Sequence, residues 1–285
     1  MTSRSSAVLG LLALACAGRP VVAMNPSAAP SLRAAAEVPV PSHAKIVLEP
    51  LRIIVGSAEG TSSVYDARTL FEEGNDALMQ RRYDEALTHY DRLDADFPES
   101  RLVVLACYNA GLAHEGRKDY AAAAERYRRL LARPEVDVAT AVDAEFRLGA
   151  VLAEGQRYLD AAMVFEATLK RPDLPPSSRI EALARLGFAL LETRDFAGAE
   201  EVLRSALAFG REIQATQHLE TDYYIAMCQF YLGEIPHRQF DAVPLRMPRE
   251  QLERDIVHKS DLFLLARDRF IKTVEVRNPY WATAA

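Results

Sequence analysis

Residues Gly111–Tyr127 read Gly-Leu-Ala-His-Glu-Gly-Arg-Lys-Asp-Tyr-Ala-Ala-Ala-Ala-Glu-Arg-Tyr, and the skeleton of this stretch recurs along the chain. Reduced to G-(x8)-[Y/F]-(x2)-A-(x3)-[Y/F/L], it is written four times in step. The glycines fall at Gly74, Gly111, Gly149 and Gly187, spaced 37, 38 and 38 residues apart. Tyr83, Tyr120, Tyr158 and Phe196 repeat at those intervals, as do Ala86, Ala123, Ala161 and Ala199. Tyr90, Tyr127, Phe165 and Leu203 close the phrase. A period of this length denotes a solenoid, whose units cannot bury their own apolar faces and must stack. The small Gly lets two helices cross closely, the Ala keeps the crossing tight, and the aromatics fill the space between helices.

These columns resemble the tetratricopeptide repeat, a helix–turn–helix unit with the skeleton W-x2-L-G-x2-Y…A-x3-F…P. Leu148-Gly149 and Leu186-Gly187 match its L-G pair, and Pro98 falls on the closing proline. No repeat carries the Trp, and the unit is longer than the 34-residue standard. The extra residues sit at proline-marked junctions, among them Arg133-Pro134-Glu135 and Arg171-Pro172, which look like those of bacterial cell-envelope members of the family. The resemblance implies an all-α, right-handed superhelix of stacked helix pairs.

Ahead of the repeats lies a targeting signal. Arg4 precedes an unbroken small-apolar run, Ala7–Ala15, too short for the roughly 20 residues of a membrane span. Residues 1–15 are therefore read as a signal peptide. The run ends Ala13-Leu14-Ala15-Cys16, which is either an ordinary A-x-A cleavage site or resembles a lipobox whose Cys16 carries lipid. Export is expected in both cases. The product is then a periplasmic protein, tethered to the outer membrane through Cys16 or soluble without that anchor. Residues 16–63 read as a tether, with Pro20, Pro26, Pro30, Pro39 and Pro41 in its Pro/Ala-rich stretch Gly18–Ser42. Within it, residues 45–55 are apolar and β-branched around Pro50, a pattern that suits no helix and confines any strand to an edge. This segment packs back on the array or adds to a partner, and Gly56–Ser63 is a joint.

The array fills residues 64–285, with repeats near 64–98, 101–134, 138–173 and 178–210 and a fifth, split repeat over 214–275. The first helix of the fifth spans about 214–233. Gly233–Pro248, with Pro236, Pro244 and Pro248, reads as an inserted loop, after which Ala266 and Phe270 resume the A-x3-F spacing. Trp281 stands where a sixth repeat would open, which suggests an incomplete chain or a cap supplied by a partner.

Charge and chemistry exclude several classes. A net charge of −6 argues against a nucleic-acid surface. The Arg126, Arg128, Arg129 and Arg133 cluster reads as a solvated helix face. The six histidines have neither H-x3-H nor H-E-x-x-H spacing, and no nucleophile elbow, dinucleotide loop or kinase set is present. No enzyme, metal, cofactor or small-molecule substrate is expected. Cys107 and Cys228 read as inert core residues.

Function is then sought on surfaces. The family's first helices line a concave groove, so the resemblance puts Phe71, Asn75, Tyr108, Leu112, Phe146 and Phe188 on its floor, with Glu115, Glu154 and Glu192 at its rim. That surface suits a peptide with apolar anchors and basic flanks, unless the aromatics pack between first helices. A competing site is the C-terminal end, with Tyr223, Phe230 and Trp281. The expected function is a non-catalytic protein–protein scaffold binding other envelope proteins. The C-terminal quarter resembles tetratricopeptide proteins of gliding-motility machines. The alternatives are an accessory subunit of a cell-wall or outer-membrane assembly complex, and a soluble periplasmic chaperone.

Overall fold

The computed structural model describes residues 50–55, 62–215 and 222–285. The signal peptide with Cys16, most of the tether and the glycine joint lie outside them. A hairpin of β1 (Leu51–Val55) and β2 (Ser62–Asp66) leads into eleven helices. These are α1 (Ala67–Met79), α2 (Tyr83–Asp96), α3 (Leu102–Gly116), α4 (Tyr120–Leu131), α5 (Val138–Glu154), α6 (Tyr158–Leu169), α7 (Pro176–Glu192), α8 (Phe196–Gln214), α9 (Tyr223–Ala242), α10 (Arg249–Glu275) and α11 (Pro279–Ala284). The fold is all-α, built of stacked helix pairs. The chain divides into two compact units, Met1–Gly155 and Gln156–Ala285.

The first four pairs share local devices. Asp66, Asp119, Asp137 and Asp195 cap helices by accepting from Thr69 N (2.7 Å), Ala122 N (3.2 Å), Thr140 N (3.0 Å) and Gly198 N (3.0 Å). Arg81, Lys118, Gln156 and Arg194 turn the chain between paired helices in the left-handed conformation, with φ of 59–64°. They stand at the repeat period, so one turn geometry is used four times without a glycine.

The glycine column has a direct steric reason. In the first unit, a Cβ at Gly74 would lie 2.6 Å from the Tyr90 ring, and one at Gly111 would lie 2.6 Å from the Tyr127 ring. In the second unit Gly187 faces Leu203 in the same way. Each of these three glycines meets the residue that closes its own phrase, 16 positions on. Ala86, Ala123, Ala161 and Ala199 are fully buried.

Three features differ from expectation. The first is the hairpin: helices begin at Ala67, not Val64, because Leu51–Val55 pairs antiparallel with Ser62–Asp66. Pro50 stands just ahead of β1, where its missing N–H costs no ladder bond. The hairpin is held to α2: Tyr65 Oη donates to Asp96 (2.6 Å), its ring meets Phe97 edge-on, and the Arg92 guanidinium lies 3.8 Å above it.

The second is the insertion. Gly233–Pro248 is not a loop: α9 continues through Pro236 to Ala242, and only Val243–Pro248 connects it to α10. The first helix of this repeat also starts later than residue 214, which ends α8. Gly233 still meets the Phe270 ring at 2.6 Å, although 37 residues separate them instead of 16. The extra residues lengthen both helices of the pair.

The third is Trp281. It is buried in α11 against Tyr223, Phe230 and Tyr231, with ring centroids 5.1–5.6 Å away. Burial of Trp281 follows from the apolar face that α9 offers it.

Candidate docking surface

The six floor positions fall inside the fold. Phe71, Tyr108, Leu112, Phe146 and Phe188 are buried. Asn75 is half-buried, and its Oδ1 accepts from Tyr90 Oη (2.8 Å) and Asn109 Nδ2 (2.7 Å). Phe71 packs on Tyr90, Tyr108 on Tyr127, and Phe188 on Tyr158 and Tyr231. These side chains fill the spaces between helices rather than offering an open apolar floor. The physical reason is that large aromatics are needed to fill gaps left by small Gly and Ala neighbours.

A polar ladder joins successive first helices instead. In the first unit, Arg147 donates to Glu115 (3.1 Å) and to Tyr108 Oη (3.2 Å), and Tyr108 Oη donates to Asp143. Tyr127 Oη adds a bond to Glu115 at 2.5 Å. Burial pushes the Glu115 carboxyl above its usual range, against the opposing pull of Arg147. In the second unit, Arg185 donates to Glu181 (2.9 Å) and Tyr224 Oη (3.4 Å), and Arg238 to Glu192 (2.5 Å). Two of the rim glutamates, Glu115 and Glu192, are thus ion-paired. Sequence reading passed over this ladder, although Arg-Leu-Gly is written at Arg147–Gly149 and again at Arg185–Gly187. The basic cluster is likewise engaged: Arg126 pairs with Asp91, and Arg129 and Arg133 hold Asp94 at 2.5 and 2.9 Å. Burial raises the thiols of Cys107 and Cys228, in keeping with packing roles.

The C-terminal candidates come together but cover one another. Tyr223 and Phe230 are half-buried, and Trp281 lies against both.

An open apolar surface lies on α10. Leu262, Ala266 and Thr273 turn inward, with Phe270 on Phe230 and Gly233. The outer side carries Ile256, Val257, Phe263, Leu264, Ile271 and Val274, each 44–61% exposed. Scattered exposed apolar residues are ordinary, whereas a contiguous helical stripe of them marks an interaction site. Beside its N-terminal half is a groove of about 400 Å³ lined by Phe240, Leu245, Ile256, Phe263 and Leu264. Lys259 closes one wall, its Nζ 4.0 Å above the Phe240 ring and 2.6 Å from the Phe240 carbonyl. The connection beneath is clamped by Asp255, which accepts from Arg246 Nε (3.0 Å), Nη2 (2.8 Å) and backbone N (3.1 Å), and from Gln251 (2.6 Å). Those side-chain bonds from Arg246 hold the Asp255 carboxyl down at about 2. Among the described residues, no three His, Cys, Asp or Glu side chains gather as a metal set, and no helix is long and apolar enough to cross a membrane.

This architecture of stacked helix pairs is similar to that of solved helical-repeat structures. The apo form of RapI superposes with a TM-score of 0.50 at 13% identity, covering 74% of each chain. MamA from Desulfovibrio magneticus aligns at 0.45 and 19% identity, over 71% of this chain and 96% of that one. A TPR repeats protein from Bacteroides fragilis aligns at 0.39 and 17%, over 74% and 91%. No family model and no curated sequence matches the chain.

Proposed function

We propose that this chain is a non-catalytic protein-interaction scaffold, exported to the bacterial cell envelope. The observation that carries the interaction role is the exposed apolar stripe of α10, in a fold whose first-helix aromatics are already buried. Export is supported by Arg4, the Ala7–Ala15 run and the cysteine that follows it. The reading includes a lipid on Cys16, with the Pro-rich segment as a spacer to the outer membrane. A place in a gliding-motility machine is its narrowest form and rests on the C-terminal resemblance alone.

Affinity purification of the tagged chain from solubilised native membranes tests the scaffold role. A stoichiometric envelope protein is expected to co-purify, and recovery of background only removes the reading. Labelling with a fatty-acid probe tests the anchor: wild type incorporates it and Cys16→Ser does not. Firm retention on the membrane then implies several acyl chains on that residue, since one chain holds only marginally.

A further inference from the structure

The outer side of α10 is a heptad seam. Val257, Leu264 and Ile271 stand seven apart, and Ser260, Arg267 and Val274 stand seven apart between them. The resulting 3-4-3-4-3 spacing is the one that keeps a stripe facing a partner helix along its whole length. It runs for 18 residues, about 27 Å at the helical rise. All six side chains are exposed. The next column round the helix is acidic: Asp261, Asp268 and Glu275, again seven apart and all exposed, with Asp268 paired to Arg267 of the seam at 2.8 Å. The opposite flank is apolar, with Ile256 and Phe263 opening into the groove.

We infer that α10 docks an amphipathic helix of a partner protein, with apolar residues at heptad spacing and a Lys/Arg column along one flank. The inference rests on the scaffold reading and specifies its partner. Val257, Leu264, Ile271 and Val274 supply the apolar contact, with Ser260 and Arg267 between them. The groove takes a protruding side chain at the N-terminal half, and the acidic column sets orientation by charge. The same column argues against one other occupant. A second copy paired antiparallel would set Asp261, Asp268 and Glu275 against their own equivalents, which repels.

The test uses the full-length chain and two synthetic three-heptad peptides. Both carry Leu at the seam positions; one has Lys along the flank and the other Glu. Fluorescence anisotropy at low salt is expected to show the Lys peptide binding at least about tenfold tighter than its twin, a preference that shrinks as salt screens it. Leu264→Asp, on an exposed position, is expected to abolish binding with helical circular dichroism unchanged. Joint reversal of Asp261, Asp268 and Glu275 to Lys is expected to invert the peptide preference, which no general loss of folding would do. Equal binding of the two peptides overturns the proposal, as does Lys-peptide binding that survives Leu264→Asp. Self-association in sedimentation that Leu264→Asp abolishes would give the face to a second copy instead. Binding to phosphatidylglycerol vesicles that Leu264→Asp removes would give it to lipid, and either result overturns the inference. Co-purification of native partners by Leu264→Asp as by wild type would leave the scaffold standing and remove this docking site.

Discussion

Arg269 settles how a proline sits inside α9. Pro236 has no N–H for the carbonyl one turn back, at Leu232, and a helix interior does not tolerate that gap freely. Arg269 Nη1 donates to that carbonyl at 2.8 Å, while Nη2 reaches Glu200 at 2.6 Å. Removing the guanidinium in Arg269→Met leaves a buried carbonyl without its donor, and thermal melts are expected to show a loss of about 1–3 kcal/mol. Restoring a backbone donor with Pro236→Ala in the Arg269→Met background is expected to recover part of it. The glycine column gives a second contrast at this scale. Gly111→Ala forces a methyl onto the Tyr127 ring and should cost about 1–3 kcal/mol. Gly155→Ala meets nothing closer than 3.3 Å at a φ of −76° and should change stability by no more than about 0.5 kcal/mol. The Gly–Tyr contact was legible in the sequence because it is made repeatedly at one spacing. Arg269 was not: it answers Pro236 from 33 positions away, once, so no column announces it.

Between elements, two charged devices do different work. The Arg147–Glu115 pair ties α3 to α5 with most of both side chains out of water. Arg147→Met strands Glu115 beside a non-polar group and should destabilise by about 2–3 kcal/mol in denaturant melts. The double variant with Glu115→Leu is expected to recover much of that loss. Asp255, by contrast, fixes the α9–α10 connection, and with it the groove wall at Leu245. Its carboxyl ionises at about 2 in the folded chain against 3.8 in the free state. A depressed carboxylate stabilises above its unfolded value and loses that contribution as pH falls through the folded one. The clamp therefore holds at pH 5, weakens below pH 4, and is lost near pH 2. Melting of α10 followed by hydrogen exchange should show that window in wild type, and Asp255→Asn should flatten it. The extended α9–α10 pair escaped sequence reading because Pro236 reads locally as a breaker. The α10 seam was written openly in Val257, Leu264 and Ile271, yet these lie outside the repeat columns.

At the scale of the whole chain, a repeat protein is stabilised by each unit and its contact with the next, so damage stays local. Trp281 offers the cleanest trial. It is the single Trp of the chain, buried in α11 among Tyr223, Phe230, Tyr231 and Tyr280. Its ring partners lie on α9 and α11, and α11 also packs on α10. Trp281→Ala removes that ring cluster's centre and should cost about 3–5 kcal/mol in local stability. Hydrogen exchange is expected to quicken in α9 and α11, while amides of α1–α4 keep their protection. Trp281→Phe separates packing from polarity. The indole Nε1–H is buried with no acceptor among the described residues, so exchanging it for Phe forfeits some ring contact but no hydrogen bond. Its cost should stay near 1 kcal/mol, well below that of Ala, because an unpaired donor contributes no bond to lose. Equal losses for Phe and Ala would show that the N–H, rather than the ring, holds α11 in place.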